Sequence, residues 1–143
     1  MCDDDHKSAY HEAGHVFFAF LIGIPISYAT IEKPARTEET LFGKIWLQLP
    51  KIRIKSSEIG TIYFMSGGKV QKYFCKDDEL HDFDEKGITF HCGDNAEIRS
   101  RSEKYIADKL SEPKIRAQID GIAQVLLDKQ RHYYSEFKVI LER

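Results

Sequence analysis

Residues 11 to 15 read His11-Glu12-Ala13-Gly14-His15, and this H-E-x-x-H pattern commits its segment to an α-helix. An α-helix turns about 100° per residue, so positions i and i+4 share one face, a turn apart. In that geometry both imidazoles reach a single metal ion, at about 2.0–2.1 Å. Glu12 then stands beside the metal rather than on it. There it can take a proton from the attacking water and pass it to a leaving amine. The flanks agree with a helix. Asp3, Asp4 and Asp5 offer an N-cap and first-turn acids. Val16-Phe17-Phe18-Ala19-Phe20-Leu21-Ile22 follows, apolar nearly all round, as in a buried helix. Gly14 costs about 1 kcal/mol relative to alanine in mid-helix, so it implies close approach by a neighbour or a metal.

The remaining composition bounds the fold and excludes some functions. A length of 143 residues suggests a single domain over 1–143. With 42% hydrophobic and 31% charged residues, the chain can build an ordinary core. A net charge of −2 without an evident basic face argues against nucleic acid as the main partner. The apolar run from Val16 to Ile26 is shorter than the roughly 20 residues a membrane span needs, and Pro25 interrupts it. Cys2, Cys75 and Cys92 do not suggest a disulfide framework, so a reducing, cytoplasmic setting is expected.

Along the chain, the pattern predicts a mainly α (α+β) fold with a small β-ribbon. Helix one is expected from about Asp4 to Leu21, stopped by Gly23-Ile24-Pro25. Ile26–Ile31 and Gly43–Leu49 read as strands of an antiparallel ribbon, with a loop over Glu32–Thr40 between them. A second helix is expected from Glu58 to Phe74, with Ile59, Ile62, Tyr63, Met65 and Val70 on its apolar face. Gly67-Gly68 in its middle points to close helix packing or a kink. Lys76 to Thr89 is acidic and reads as a solvated loop without the spacing of a calcium loop. Further helices are expected over Asp94–Leu110, Lys114–Lys129 and Tyr134–Leu141.

Two histidines do not complete a catalytic zinc site, which has three protein ligands and water. The extended H-E-x-x-H-x-x-G-x-x-H pattern is absent, since Phe18, Ala19 and Leu21 follow His15. The third ligand must come from further along. His81, His91, Cys92, Asp94, Glu97 and His132 are the candidates.

Ser8-Ala9-Tyr10-His11-Glu12-Ala13-Gly14-His15 resembles the A-x-H-E-A-G-H start of the peptidase domain of FtsH-type, ATP-dependent zinc proteases. Thr30-Ile31-Glu32-Lys33-Pro34 is similar to that family's V-T-I-x-P-R strand. Met65-Ser66-Gly67-Gly68-Lys69-Val70-Gln71-Lys72 occupies the place of its L-x-G-R-x-A-E helix, without the Glu. Gly93-Asp94, followed by Ile98, resembles its G-A-x-N-D-L segment. Ile119 to Leu127 resembles its late A-x-x-L-L helix. The resemblance implies zinc (Zn2+) as the cofactor and Asp94 as third ligand, with Glu97 the alternative one helical turn away.

It also implies a zinc metallopeptidase acting on a polypeptide substrate, with Glu12 as general base. No G-x-x-x-x-G-K-[ST] pattern occurs here, so a stand-alone relative without the ATPase and membrane anchor is expected. Its substrates would be unfolded or flexible segments, or clients brought by a separate unfoldase or adaptor. The ribbon would offer an edge to an extended peptide. Assembly as a homo-oligomer stays open. The alternative is a catalytically weak, zinc-stabilised interaction module that regulates a larger protease.

Overall fold

The computed structural model describes residues 2–23, 26–31, 44–47, 57–76, 82–128 and 131–142. The chain is mainly helical. Its elements run α1 (Asp4–Ile22), β1 (Ile26–Thr30), β2 (Lys44–Leu47), α2 (Ser57–Cys75), α3 (Asp82–Cys92), α4 (Ala96–Leu110), α5 (Pro113–Asp128), β3 (Arg131–Tyr133) and α6 (Tyr134–Leu141).

The central element is α1. Asp3 caps it, its carboxylate accepting from the His6 amide at 2.8 Å. Gly23 ends it in the left-handed region at φ 82°, where glycine carries no Cβ penalty. Every residue from Ser8 to Ala19 is buried, because α1 packs between α2 on one side and α5 on the other. The all-round apolar sequence is thus a helix covered on all sides.

The other helices close the core around it. On α2, Ile62, Tyr63, Met65 and Val70 are buried. On α5, Ile115, Ile119, Ile122, Ala123 and Leu126 recur at helical spacing and are all buried. Asn95 caps α4, its side-chain oxygen accepting from the Ile98 amide at 3.1 Å. The strands form one three-stranded antiparallel sheet in the order β2-β1-β3. Tyr28 to Thr30 of β1 pair with β2 on one side and β3 on the other, so β1 is not an open edge. The loop expected over Glu32–Thr40 lies outside the described residues.

Two expectations are corrected here. The acidic stretch is not all loop: from Asp82 onward it is α3, packed on α2. Among its described side chains the buried ones are Asp84, Ile88 and Cys92, an i, i+4, i+8 series on one helical face. A buried aspartate stands where a hydrophobic residue would have completed the pattern.

The second correction concerns the cysteines. Cys2 and Cys75 form a disulfide, and Cys92 alone is a free, buried thiol. The bond ties the start of α1 to the end of α2, across a sequence separation of 73. The premise from which a reducing compartment was expected is therefore gone. Closing a loop of that length restricts the unfolded chain by about 4 kcal/mol. Reduction is expected to lower the melting temperature by roughly 10 °C. Calorimetry with and without a dithiol reductant checks this, and an unchanged transition would show that the bond contributes nothing.

Candidate metal centre

One turn of α1 faces one turn each of α2 and α3. His11 and His15 point the same way from α1, as the i, i+4 spacing requires. The acid that meets them is Asp84 of α3. His11 Nε2 lies 2.7 Å from Asp84 Oδ2, His15 Nε2 lies 3.2 Å from the same oxygen, and the two Nε2 atoms are 3.2 Å apart. These residues form the one group of potential metal ligands found among the described residues. All are buried, with His11 at 1%, His15 at 4% and Asp84 at 5% exposure.

The placement of the expected third ligands differs from the reading of the sequence. Asp94 is exposed, in the turn between α3 and α4, away from both histidines. The chain has to reverse there, and Asn95 rather than Asp94 caps the helix that follows. Glu97 is exposed on the first turn of α4 and pairs with Arg101. His91 lies against the Phe64 ring, with centroids 5.7 Å apart. His81 and the His132 side chain lie outside the described residues. The third potential ligand is a residue that the sequence reading had assigned to a solvated loop.

Four observations test whether a metal fits. First, ligands about 2.0–2.1 Å from a tetrahedral zinc stand about 3.3–3.4 Å from one another. Two of the three observed separations, 3.2 Å each, are close to that value. Second, the far side of each imidazole is held. His11 Nδ1 donates to Gln71 Oε1 at 2.9 Å, and His15 Nδ1 donates to the Tyr63 carbonyl at 2.9 Å. Such bonds fix the tautomer whose Nε2 lone pair faces the metal. Third, Gly67 leaves the space open: a Cβ there would stand 2.4 Å from His15 Nε2 and 2.8 Å from His11 Nε2. Fourth, Glu12 is 3% exposed, lies outside the converging group, and has a buried Oε2 without a hydrogen-bond partner. A buried orphan acceptor is costly unless some donor serves it. The residues fit a zinc ion held by His11, His15 and Asp84, with Glu12 beside it.

The small residues are what let the helices meet. A Cβ at Gly14 would lie 2.8 Å from the Ser66 carbonyl oxygen and 2.8 Å from Val70 Cβ, so α1 and α2 cross in near-backbone contact. Close approach thus accounts for Gly14 and Gly67. Gly67→Ala adds helix propensity, about 1 kcal/mol, yet presses a methyl against the Nε2 atoms of both histidines. It is expected to stay helical by circular dichroism and to lose zinc by metal analysis. Wild-type zinc content in a folded Gly67→Ala protein would contradict the site.

The charges are strongly coupled. Burial alone would raise Asp84, but His15 and His11 outweigh it and hold the carboxyl well below the usual carboxylate range. Burial opposes a charge on His15 too, yet Asp84, with help from Glu12 and the Tyr63 carbonyl, raises it to about 9. Burial pushes Glu12 up to about 8, with Asp84 adding to the effect and His15 opposing it.

At pH 7 metal-free His15 therefore carries a proton on the nitrogen a metal needs. Zinc binding must displace it, so affinity is expected to rise with pH and level off above about 9. Zinc titrations from pH 6 to 9 check the sign. An affinity that is flat across this range would contradict the coupling.

No family model matches the chain, and no curated protein matches it. No described helix is long and apolar enough to cross a membrane.

Proposed function

We propose that the chain is a zinc metallopeptidase that hydrolyses peptide bonds in unfolded or flexible protein segments. His11, His15 and Asp84 would hold the ion, and Glu12 would be the general base. The observation that carries this reading is the convergence of His11 Nε2, His15 Nε2 and Asp84 Oδ2 beside an unpartnered Glu12 Oε2. The H-E-x-x-H spacing and the resemblance to FtsH-type peptidase domains support it.

Zinc, when bound, supplies a Lewis acid that polarises the scissile carbonyl and acidifies water. The chain's own residues do the rest. Gln71 and the Tyr63 carbonyl hold the imidazoles in register. Asp84 contributes the negative charge that two neutral imidazoles lack. Glu12 accepts the proton of the attacking water at its carboxylate and returns it to the leaving amine. Burial raises the Glu12 carboxyl in the metal-free protein, which favours holding the proton that it must later return. Among the described strands, the outer edge of β2 is the part of the expected ribbon that an extended substrate would pair with. Delivery by a separate unfoldase or adaptor belongs to the same proposal.

A second reading has its own observation. His11, Glu12, His15 and Asp84 are each no more than 5% exposed, and closed zinc sites are typically structural. On that reading the chain is a zinc-stabilised interaction module with little catalysis. The test is hydrolysis of an unfolded casein-like substrate by zinc-loaded protein, with and without a chelator, alongside Glu12→Gln. Chelator-sensitive cleavage that Glu12→Gln loses supports the peptidase. No cleavage by folded, zinc-loaded wild type supports the module.

A further inference from the structure

The face of α2 turned away from the metal centre carries a second, separate feature. Gly67 and Gln71 face the histidines, whereas Lys69, Lys72, Tyr73 and Lys76 recur at i, i+3, i+4 and i+7 along the other side. Together with α4 and the start of α5, this face lines a groove of about 1060 Å3. Among the described residues, Lys104 and Arg116 bring the lining cations to five, against Glu103 as the one lining acid. The floor is apolar, built from Ile106 and Leu110. Tyr73 is 40% exposed at the rim. For a chain of net charge −2, this is a marked local excess of positive charge.

The cations are not equally committed. Lys104 is offset by Asp108 at 3.0 Å. Lys76 donates to the Tyr73 carbonyl at 2.8 Å and stands 5.3 Å from the Tyr73 ring centroid. Arg116 donates to the Leu110 carbonyl at 2.9 Å. Carbonyls and a ring are neutral partners, so they orient these two charges without cancelling them. The volume is at the upper end for small-molecule pockets and exceeds what one phosphate would fill. An apolar floor beneath a basic rim matches a peptide that carries both carboxylates and apolar side chains.

We propose that this groove docks an acidic polypeptide segment, on the opposite side of α2 from the metal. The proposal rests on the peptidase reading only in that the docked segment would belong to the substrate. Its test does not depend on catalysis. Zinc-loaded Glu12→Gln protein is titrated into a labelled ten-residue peptide rich in Asp, Glu and Leu, and fluorescence anisotropy is read at low and at physiological salt. A peptide of the same length with Asn and Gln in place of the acids, a single-stranded oligonucleotide and inorganic phosphate serve as the other arms.

Binding of the acidic peptide, weakened by salt, is expected. The double substitution Lys69→Glu with Lys76→Glu should weaken it about tenfold or more, with melting temperature and zinc content unchanged. Equal binding of the neutral peptide, no effect of the charge reversal, or tighter binding of the oligonucleotide or phosphate would overturn the proposal. So would acidic-peptide binding that appears only after Asp77, Asp78 and Glu79 are made neutral. That result would make the chain's own acidic run the occupant. Loss of peptide docking with intact hydrolysis by wild type would sink this inference alone. Docking without any hydrolysis would sink the peptidase reading alone.

Discussion

Asp84→Ala is expected to lower zinc affinity by at least about 100-fold, whereas Asp94→Ala and Glu97→Ala leave it unchanged. Loss of a residue that merely supports a ligand costs about 10–100-fold, so loss of a ligand lies at or beyond the top of that range. Among the described residues Asp84 is the one carboxylate that converges with the two histidines, while Asp94 and Glu97 are exposed. The alanine variant carries a complication, because it also removes the counter-charge of a buried imidazolium. Breaking one side of a buried pair costs about 3–5 kcal/mol. Asp84→Asn keeps the shape and removes the charge, so it separates ligation from packing. Competition with a chelator of known affinity measures the effect. Retained zinc in Asp84→Asn, with loss in Asp94→Ala, would return the third ligand to the turn before α4.

Glu12→Gln is expected to reduce kcat by about 10²–10⁴-fold while zinc content stays at the wild-type level. That is the usual contribution of a positioned general base. Glutamine fills the same space but cannot accept the proton. Since Glu12 is outside the ligand group, its loss should spare the metal. The metal-free protein offers an independent check on stability. Glu12 is raised from its ordinary value to about 8, so its favourable contribution is full below about pH 4.5 and is lost as pH rises through 8. Glutamine has no such loss. Metal-free Glu12→Gln should therefore gain stability relative to wild type as the pH is taken from 5 to 9. A variant that loses both zinc and stability would mean that Glu12 is structural.

Much of the scaffold was legible because local signals and tertiary demands coincide. Asp3 and Gly23 bound α1, Pro113 opens α5, and the Ile115–Leu126 series gives its buried face. The pairing of His11 and His15 was legible for the same reason, since fixed spacing on a helix puts both on one face. Asp84 was not, and the cause is physical. A buried acid inside Asp82-Phe83-Asp84-Glu85-Lys86 interrupts the apolar period of α3 and makes a packed helix resemble a solvated loop. The charge that breaks the pattern is the one that meets the two histidines. The signal that could have found it was the position of Ile88 and Cys92, four and eight residues on, which places Asp84 on their face. Gly93-Asp94 resembles a short family segment, but a short segment carries no information about which helical face it joins. The Cys2–Cys75 bond was hidden for a different reason: three cysteines in 143 residues carry no spacing signal, and pairing depends on which helix ends meet. Gly67 lay between the two cases, since its cost implied close approach but not what approached.

Anomalous scattering from crystals of the zinc-loaded protein tests the central claim most directly. The account predicts one strong zinc peak within about 2.0–2.2 Å of His11 Nε2, His15 Nε2 and an Asp84 oxygen, with Glu12 off the metal. A peak ligated by Asp94 or Glu97, or no peak between the histidines at saturating zinc, would contradict it.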